Sequence, residues 1–366
     1  MSTALLQPDL TTTTVGQSKK VRPIVGWAAI GGACLAFEIY LLIRWPLSGD
    51  MKHIGSGPTP VPASIKFNVV TQEVLTVVLC ILGLYYFLIR PWRRAGHIMS
   101  DGLMIIAIGI MFWQDPLGDY VGPWSMYNGY SANLGSWLRG VPGVAFPHPE
   151  RLAEPIFTTV LGFVGGMFLT IVLGNFLMRK AQERWPSLTN FRLILCVFVA
   201  YMFVDFVIEF GNVLEGLYVF PGAVKWASIF PNSRYKFPVY EVVLMSAAYS
   251  GFVCLRYFKD EEGYTWVERG VHRLKVQGWR KAWIRFLAMS AMFNIIYFCA
   301  YNVPINALSM NSSSFPPAIT SKSYLMNGDV ICGRGTTFAC PGPNIPIPRQ
   351  HSAHVAPDGR LVPAGQ

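Results

Sequence analysis

An all-α, polytopic membrane helix bundle of about seven transmembrane helices, with its N-terminus inside and its C-terminus outside, is the fold class the sequence predicts. Three observations lead there. Of 366 residues, 52% are hydrophobic and only 14% are charged, where a soluble domain carries about 25% charged residues. Mean hydropathy is +0.37. Apolar runs at 24–45, 67–89, 98–114, 156–178, 191–211, 239–257 and 283–301 are each near the roughly 20 residues that a helix needs to cross the hydrocarbon core. None alternates as a barrel strand would.

The elements follow in chain order. Residues 1–21 are polar, Thr-rich and end in Lys19 and Lys20; with no small-residue cleavage site behind a short apolar core, they read as a disordered cytoplasmic tail. A seven-helix membrane domain occupies 22–302. Its third run is the weakest, because Gly102 and Gly109 interrupt it and Gln114 and Asp115 close it. The stretch 115–155 is a long outer loop dense in Trp, Tyr, Gly, Asn and Pro, and loops of this length are more often functional than passive. It reads either as a lid over an apolar cavity or as an aromatic belt at the headgroups. Residues 303–366 form a Pro/Gly-rich, mostly irregular tail.

The distribution of basic residues sets the orientation. Of the 30 Lys and Arg, 18 fall in the N-terminal tail and the connections around 90–97, 179–192 and 256–285, and 12 are spread over the longer segments between. The positive-inside rule then places the basic connections in the cytoplasm. The net charge of +10 is explained by these clusters, so nucleic acid is not an expected partner. The expected setting is the bacterial cytoplasmic membrane. Oligomeric state is not readable from the sequence.

Five cysteines lie within the runs, whereas Cys332 and Cys340 lie eight apart in the tail. An outside tail permits a disulfide between them, and two free thiols are the alternative. Their spacing to His351 and His354 matches no zinc signature, so no metal site is predicted.

Ionisable groups inside a bilayer are costly and therefore mark function by default. With the N-terminus inside, Glu38, Glu73, Asp115, Asp119, Glu154, Asp205, Glu209, Glu215 and Glu241 all fall toward the outer side. Asp205 and Glu209 are four apart and share a helix face, and Asn212 continues the polar stripe. The second helix offers Asn68, Gln72 and Glu73, and the seventh Asn294, Tyr297 and Tyr301. Candidate catalytic groups are Asp205, Glu209, Glu38 and Asp115. Candidate pocket residues are Glu73, Gln72, Asn68, Trp113, Asp119, Tyr120, Trp124, Asn212, Glu241, Asn294 and Tyr297. Acids at helix ends, Glu73, Glu154 and Glu241 among them, also have a plainer reading as caps or headgroup-water residues.

Carboxylic acids in a dry aromatic pocket keep protons near neutrality and act as general acids, while an ionised neighbour stabilises a cation. That suits cyclisation, ketal formation or dehydration of an apolar small molecule drawn from the lipid bilayer, with no cofactor. No nucleotide, zinc-protease or nucleophile-elbow motif points elsewhere.

The segments VGW at 25–27, GPTPVP at 57–62, FNVVTQE at 67–73, RPW at 90–92, FWQDPLGDY at 112–120, WS at 124–125 and VDFVIEF at 204–210 resemble the actinobacterial AveC-type spirocyclase family over roughly 22–305. The resemblance implies a membrane protein of secondary metabolite biosynthesis. Its expected reaction is spiroketal formation from a dihydroxy-ketone polyketide, followed in one member by dehydration. It supplies no catalytic residues, so those named above rest on depth and spacing. A proton-coupled transporter or a lipid- or small-molecule-binding membrane protein is the alternative, and an accessory protein without activity a third. Internal repeats, frequent in transporters, are not found.

Overall fold

The computed structural model describes residues 23–312, 314–333 and 335–365; the N-terminal tail lies outside the described residues. Among the described residues, six helices are long and apolar enough to cross a membrane: α1 (Pro23–Leu47), α2 (Ala63–Ala95), α4 (Ile156–Arg184), α5 (Asn190–Glu215), α6 (Val239–Tyr257) and α7 (Gly278–Ser309). The protein is thus a multi-pass membrane helix bundle. Among the described residues, sheet is confined to three two-stranded antiparallel ladders.

The third predicted run differs from the other six. It is a ten-residue α-helix, α3 (Ser100–Gly109), continued by ten residues of 3₁₀ helix, Ile110–Asp119. Together they extend about 35 Å at the usual rises per residue. Pro116, which has no amide hydrogen to donate, lies in the tighter part. The glycines that weaken its hydropathy are packing positions. A Cβ on Gly102 would meet Leu88 and Ile98 at 2.9 Å, and one on Gly109 would meet Val164 at 2.6 Å. Nearly every residue of 102–119 is buried or half-buried, so this segment is the central pillar of the bundle.

Charged groups hold the pillar at its N-terminal end, hereafter the basic end. Asp101 accepts from Arg256 of α6 at 2.6 and 3.1 Å, and Lys259 stands 3.8 Å away. Ser100 accepts from Arg285 of α7 at 2.7 Å, and Arg285 also pairs with fully buried Glu268. Asp101 lies in the first turn of α3 and so also complements the helix dipole.

The opposite, lid end carries a second hydrophobic core. Loop residues such as Trp137, Leu138 and Phe146 pack there with Phe315, Tyr324 and Leu325 of the tail. Trp124 and Trp137 are only 2% and 3% exposed. Trp124, Trp137 and Phe146 therefore turn inward, as a lid's aromatics do, while Tyr130 stays exposed. Strand β1 (Met126–Tyr127) of the loop pairs with β2 (Tyr218–Val219), placing Tyr127 opposite Tyr218. The segment between α1 and α2 straps lid to tail: Ile54 N donates to Asn133 Oδ1 at 2.9 Å and Thr59 N to Ser323 Oγ at 2.8 Å. Gly129 N donates directly to Tyr324 O at 2.8 Å. Helix α7 runs past residue 302, and the tail beyond it is largely irregular but packed, with Cys332 and Cys340 joined in a disulfide.

Helix α1 lies along α7, with Gly31 at the closest approach: a Cβ there would overlap the Leu287 carbonyl. Without a hydrophobic drive between helices in lipid, such small residues let backbones pack. Gly31→Ala is expected to cost about 1–3 kcal/mol through overpacking. Thermal unfolding in detergent checks this against Gly26→Ala, whose Cβ meets nothing within 4 Å and which is expected to leave the midpoint nearly unchanged.

Candidate functional site

Beneath the lid lies a cavity of about 270 Å³, and three carboxylates from three elements face it: Asp115 of the pillar, Glu209 of α5 and Glu241 of α6. Five tyrosines share the lining, namely Tyr127, Tyr218, Tyr249, Tyr297 and Tyr301, with Gln72 and Thr76 of α2 and Trp124 of the lid. Wide π turns open α4 at Ile156–Val160 and Phe163–Met167, and another interrupts α7 at Phe298–Asn302. Such turns shift side chains off the α-helical register and recur at functional sites. Here they bring Thr159 and Phe163 of α4, and Tyr301 of α7, to the cavity.

Each carboxylate at the cavity takes a tyrosine hydroxyl. Tyr127 Oη donates to Asp115 Oδ2 at 2.9 Å, Tyr218 Oη to Glu209 Oε2 and Tyr301 Oη to Glu241 Oε1 at 3.3 Å. Tyr127 and Tyr218 are cross-strand partners, hence on one face of the β1–β2 ladder, with ring centroids 5.7 Å apart. Asn212 Nδ2 donates onward to Tyr218 Oη at 3.4 Å. Tyr297 stacks on Tyr301 with centroids 5.2 Å apart.

Two further acids stand behind these. Glu154 hydrogen-bonds Asp115 and Asp205 hydrogen-bonds Glu241. A hydrogen bond between two carboxyls requires a proton on one of them. Among the described residues, Glu154 Oε2, Asp205 Oδ2 and Glu241 Oε2 receive no amide, hydroxyl or cationic donor, and no Lys, Arg or His lines the cavity. Lys236 is buried in the loop before α6, but its ammonium donates to Pro221 O at 2.8 Å. Burial, then the charge of Lys225, lowers its pKa to about 8.

The other sequence-predicted residues fall into distinct places. Glu38 is buried in α1 and does not line the cavity. Glu73 accepts from the lid amide of Ala132 at 2.7 Å, and Asn68 Nδ2 ties α2 to α5 through Glu215 O at 3.1 Å. Asp119 accepts from the Trp124 and Ser125 amides at 2.8 and 3.1 Å, folding the start of the lid. Trp113 Nε1 and Gln114 Nε2 both donate to Asn294 Oδ1, at 3.0 and 2.6 Å, fastening the pillar to α7. Tyr120 Oη donates to Pro142 O at 3.0 Å. Trp124 shapes the wall, 4.9 Å from the Phe220 ring. Sequence reasoning missed Tyr127, Tyr218 and Tyr249 and left Glu154 as a cap. Tyr127 and Tyr218 lie in two-residue strands, which leave no periodic signal to read, whereas Tyr249 lies in α6.

The lid meets the site through Glu154. Burial, then the charges of Asp115 and Asp119, raises its pKa well above the ordinary 4.5, so the folded lid binds a proton that the opened lid releases. Its stabilising contribution is therefore complete below that ordinary value and is lost as pH rises through the raised one. Hydrogen exchange of lid amides at 126–137, corrected for intrinsic rates, is expected to lose protection as pH rises from the ordinary carboxyl range through the raised pKa of Glu154. Glu154→Gln, which keeps a neutral side chain, is expected to flatten that loss.

A family model described as "Spirocyclase AveC-like" matches residues 92–324. No curated protein and no solved structure matches the chain. The matched stretch runs from the end of α2 into the tail and contains Asp115, Glu154, Asp205, Glu209 and Glu241, while Glu38 and Glu73 precede it. The chain is a multi-pass membrane protein belonging to the AveC-like spirocyclase family.

Proposed function

We propose that this protein catalyses acid-promoted spiroketal formation on an apolar, polyketide-like dihydroxy-ketone, in a bacterial cytoplasmic membrane with the lid end facing outward. The observation that carries the reading is the pairing of Asp115 with Tyr127 and of Glu209 with Tyr218 in one cation-free cavity. Family membership makes a cyclase the expected class, and the site supplies groups suited to it.

In this scheme the protonated Glu209 carboxyl, through or beside Tyr218, gives its proton to the ketone oxygen as the first substrate hydroxyl adds. The adding hydroxyl yields its proton to a facing carboxylate, leaving a hemiketal. Protonation of the hemiketal hydroxyl releases water and leaves an oxocarbenium ion. Glu241 and Asp115, when ionised, stabilise that cation in a medium of low dielectric, where such stabilisation is strongest. The second hydroxyl then adds and returns its proton to the carboxylate, so the net change is the loss of one water. Asp205 acts on Glu241 from behind and is a positioning residue. The tyrosine walls fold the flexible substrate into one diastereomer, which is catalysis by positioning.

The test is product analysis by chiral chromatography and mass spectrometry, with membranes carrying the protein incubated with a synthetic dihydroxy-ketone. The parent is expected to yield a single diastereomer faster than background. Glu209→Gln is expected to lower the rate by about 10²–10⁴-fold, the usual worth of a general acid, and Asp205→Asn by less. Unchanged rate and stereochemistry in both variants would falsify the assignment.

A further inference from the structure

The lid is fastened from several sides, whereas the flank of the cavity is not. Above, Glu73 holds the Ala132 amide, β1 pairs with β2, and the tail holds Gly129 through Tyr324. Sideways, the cavity wall is shared by Thr76 and Leu79 of α2, Gly162, Gly166 and Thr170 of α4, and Ile208 and Glu209 of α5.

Helices α4 and α5 meet where Tyr201 Oη donates to Thr170 O at 2.6 Å. Toward the lid from that point, α4 follows α2: Gly165 sits against the backbone of Cys80. Helix α5 is tied to α2 by the hydrogen bond from Asn68 Nδ2 to Glu215 O. Between these two ties the wall has two glycines. Gly166 is exposed, and a Cβ there meets nothing within 4 Å. Ile208 across the gap is 50% exposed. The exposed side chains around it, Val74, Val78, Phe203 and Val207, are all apolar. An apolar rim of this kind suits acyl chains rather than water.

We propose that the ligand of the cavity reaches Glu209 sideways from the bilayer, through a window bounded by α2, Gly162 and Gly166 of α4 and Ile208 of α5. Its occupant is a bilayer-dissolved, elongated apolar molecule whose oxygen-bearing end meets the carboxylates while its apolar remainder stays among acyl chains. The proposal rests on reading the cavity as the place where an apolar substrate reacts, yet its test needs no turnover.

The protein in liposomes is treated with dicyclohexylcarbodiimide, which partitions into the bilayer, or with a water-soluble, charged carbodiimide, and the modified carboxyls are located by peptide mass mapping. Glu209 is expected to be modified by the hydrophobic reagent only. Gly166→Leu and Ile208→Trp, which narrow the window from opposite sides, are each expected to slow that modification about tenfold, the effect of raising the barrier by ~1.4 kcal/mol. Two variants are used so that one that fails to fold leaves the other to decide, each checked by monodispersity. Modification by the charged reagent at the same rate, none by either reagent, or an unchanged rate in the folded variants overturns the proposal. Window-dependent modification together with full cyclisation by Glu209→Gln upholds the window and removes Glu209 from the catalytic role.

Discussion

Five carboxyl groups, three of them buried and two half-buried, lie around or directly behind one cavity that no cation among the described residues lines, and the architecture of the lid end answers that constraint. An isolated carboxylate moved out of water costs many kcal/mol, so buried acids pair, take hydrogen bonds or keep their protons. Here arginines are spent elsewhere, on the pillar at the basic end. Hydroxyl donors and shared protons serve the acids instead. That solution needs tyrosines delivered from outside the helices, which is what the β1–β2 ladder does for Asp115 and Glu209. A guanidinium in the same place would hold the acids permanently ionised; tyrosines leave them able to exchange protons.

Much of the bundle was readable because helix hydropathy is a local property. The run at 239–257 coincides with α6, and the runs at 24–45 and 191–211 lie just inside α1 and α5. The pillar was the weak point for a physical reason: its apolar α-helix is only ten residues long, it continues as 3₁₀ turns that carry Gln114, Asp115 and Asp119, and its glycines serve packing. The convergence of acids was partly readable from depth alone. Asp115, Glu209 and Glu241 meet at the cavity, with Asp205 behind, while Glu38 stands apart. Helical spacing tells which residues share a face, but not which face a neighbouring helix covers. The tyrosines were unreadable because their positions come from a pairing of residues 126–127 with 218–219, nearly a hundred positions away in sequence.

The lid joins fold to chemistry. Trp137 and Phe146 are buried with pillar and tail residues, so the cavity roof is continuous with a hydrophobic core, and interiors packed in this way transmit strain but deform little. A rigid roof suits a reaction whose difficulty is choosing one folded conformation of a flexible chain. The adaptable part of the site is then the row of π turns, where the backbone departs from the regular helix next to the cavity.

The central pillar also bears on how the protein is made. Asp101 finds its partner Arg256 155 residues later in the chain, and Ser100 finds Arg285 185 residues later. This short core element therefore leaves the ribosome long before the helices that enclose it and neutralise its charge. Until α6 and α7 arrive, Asp101 and Ser100 lack the arginines that hold them, and the bundle around α3 is unfinished. Closure of the bundle, and with it the final shape of the cavity, is thus an event of the last third of synthesis.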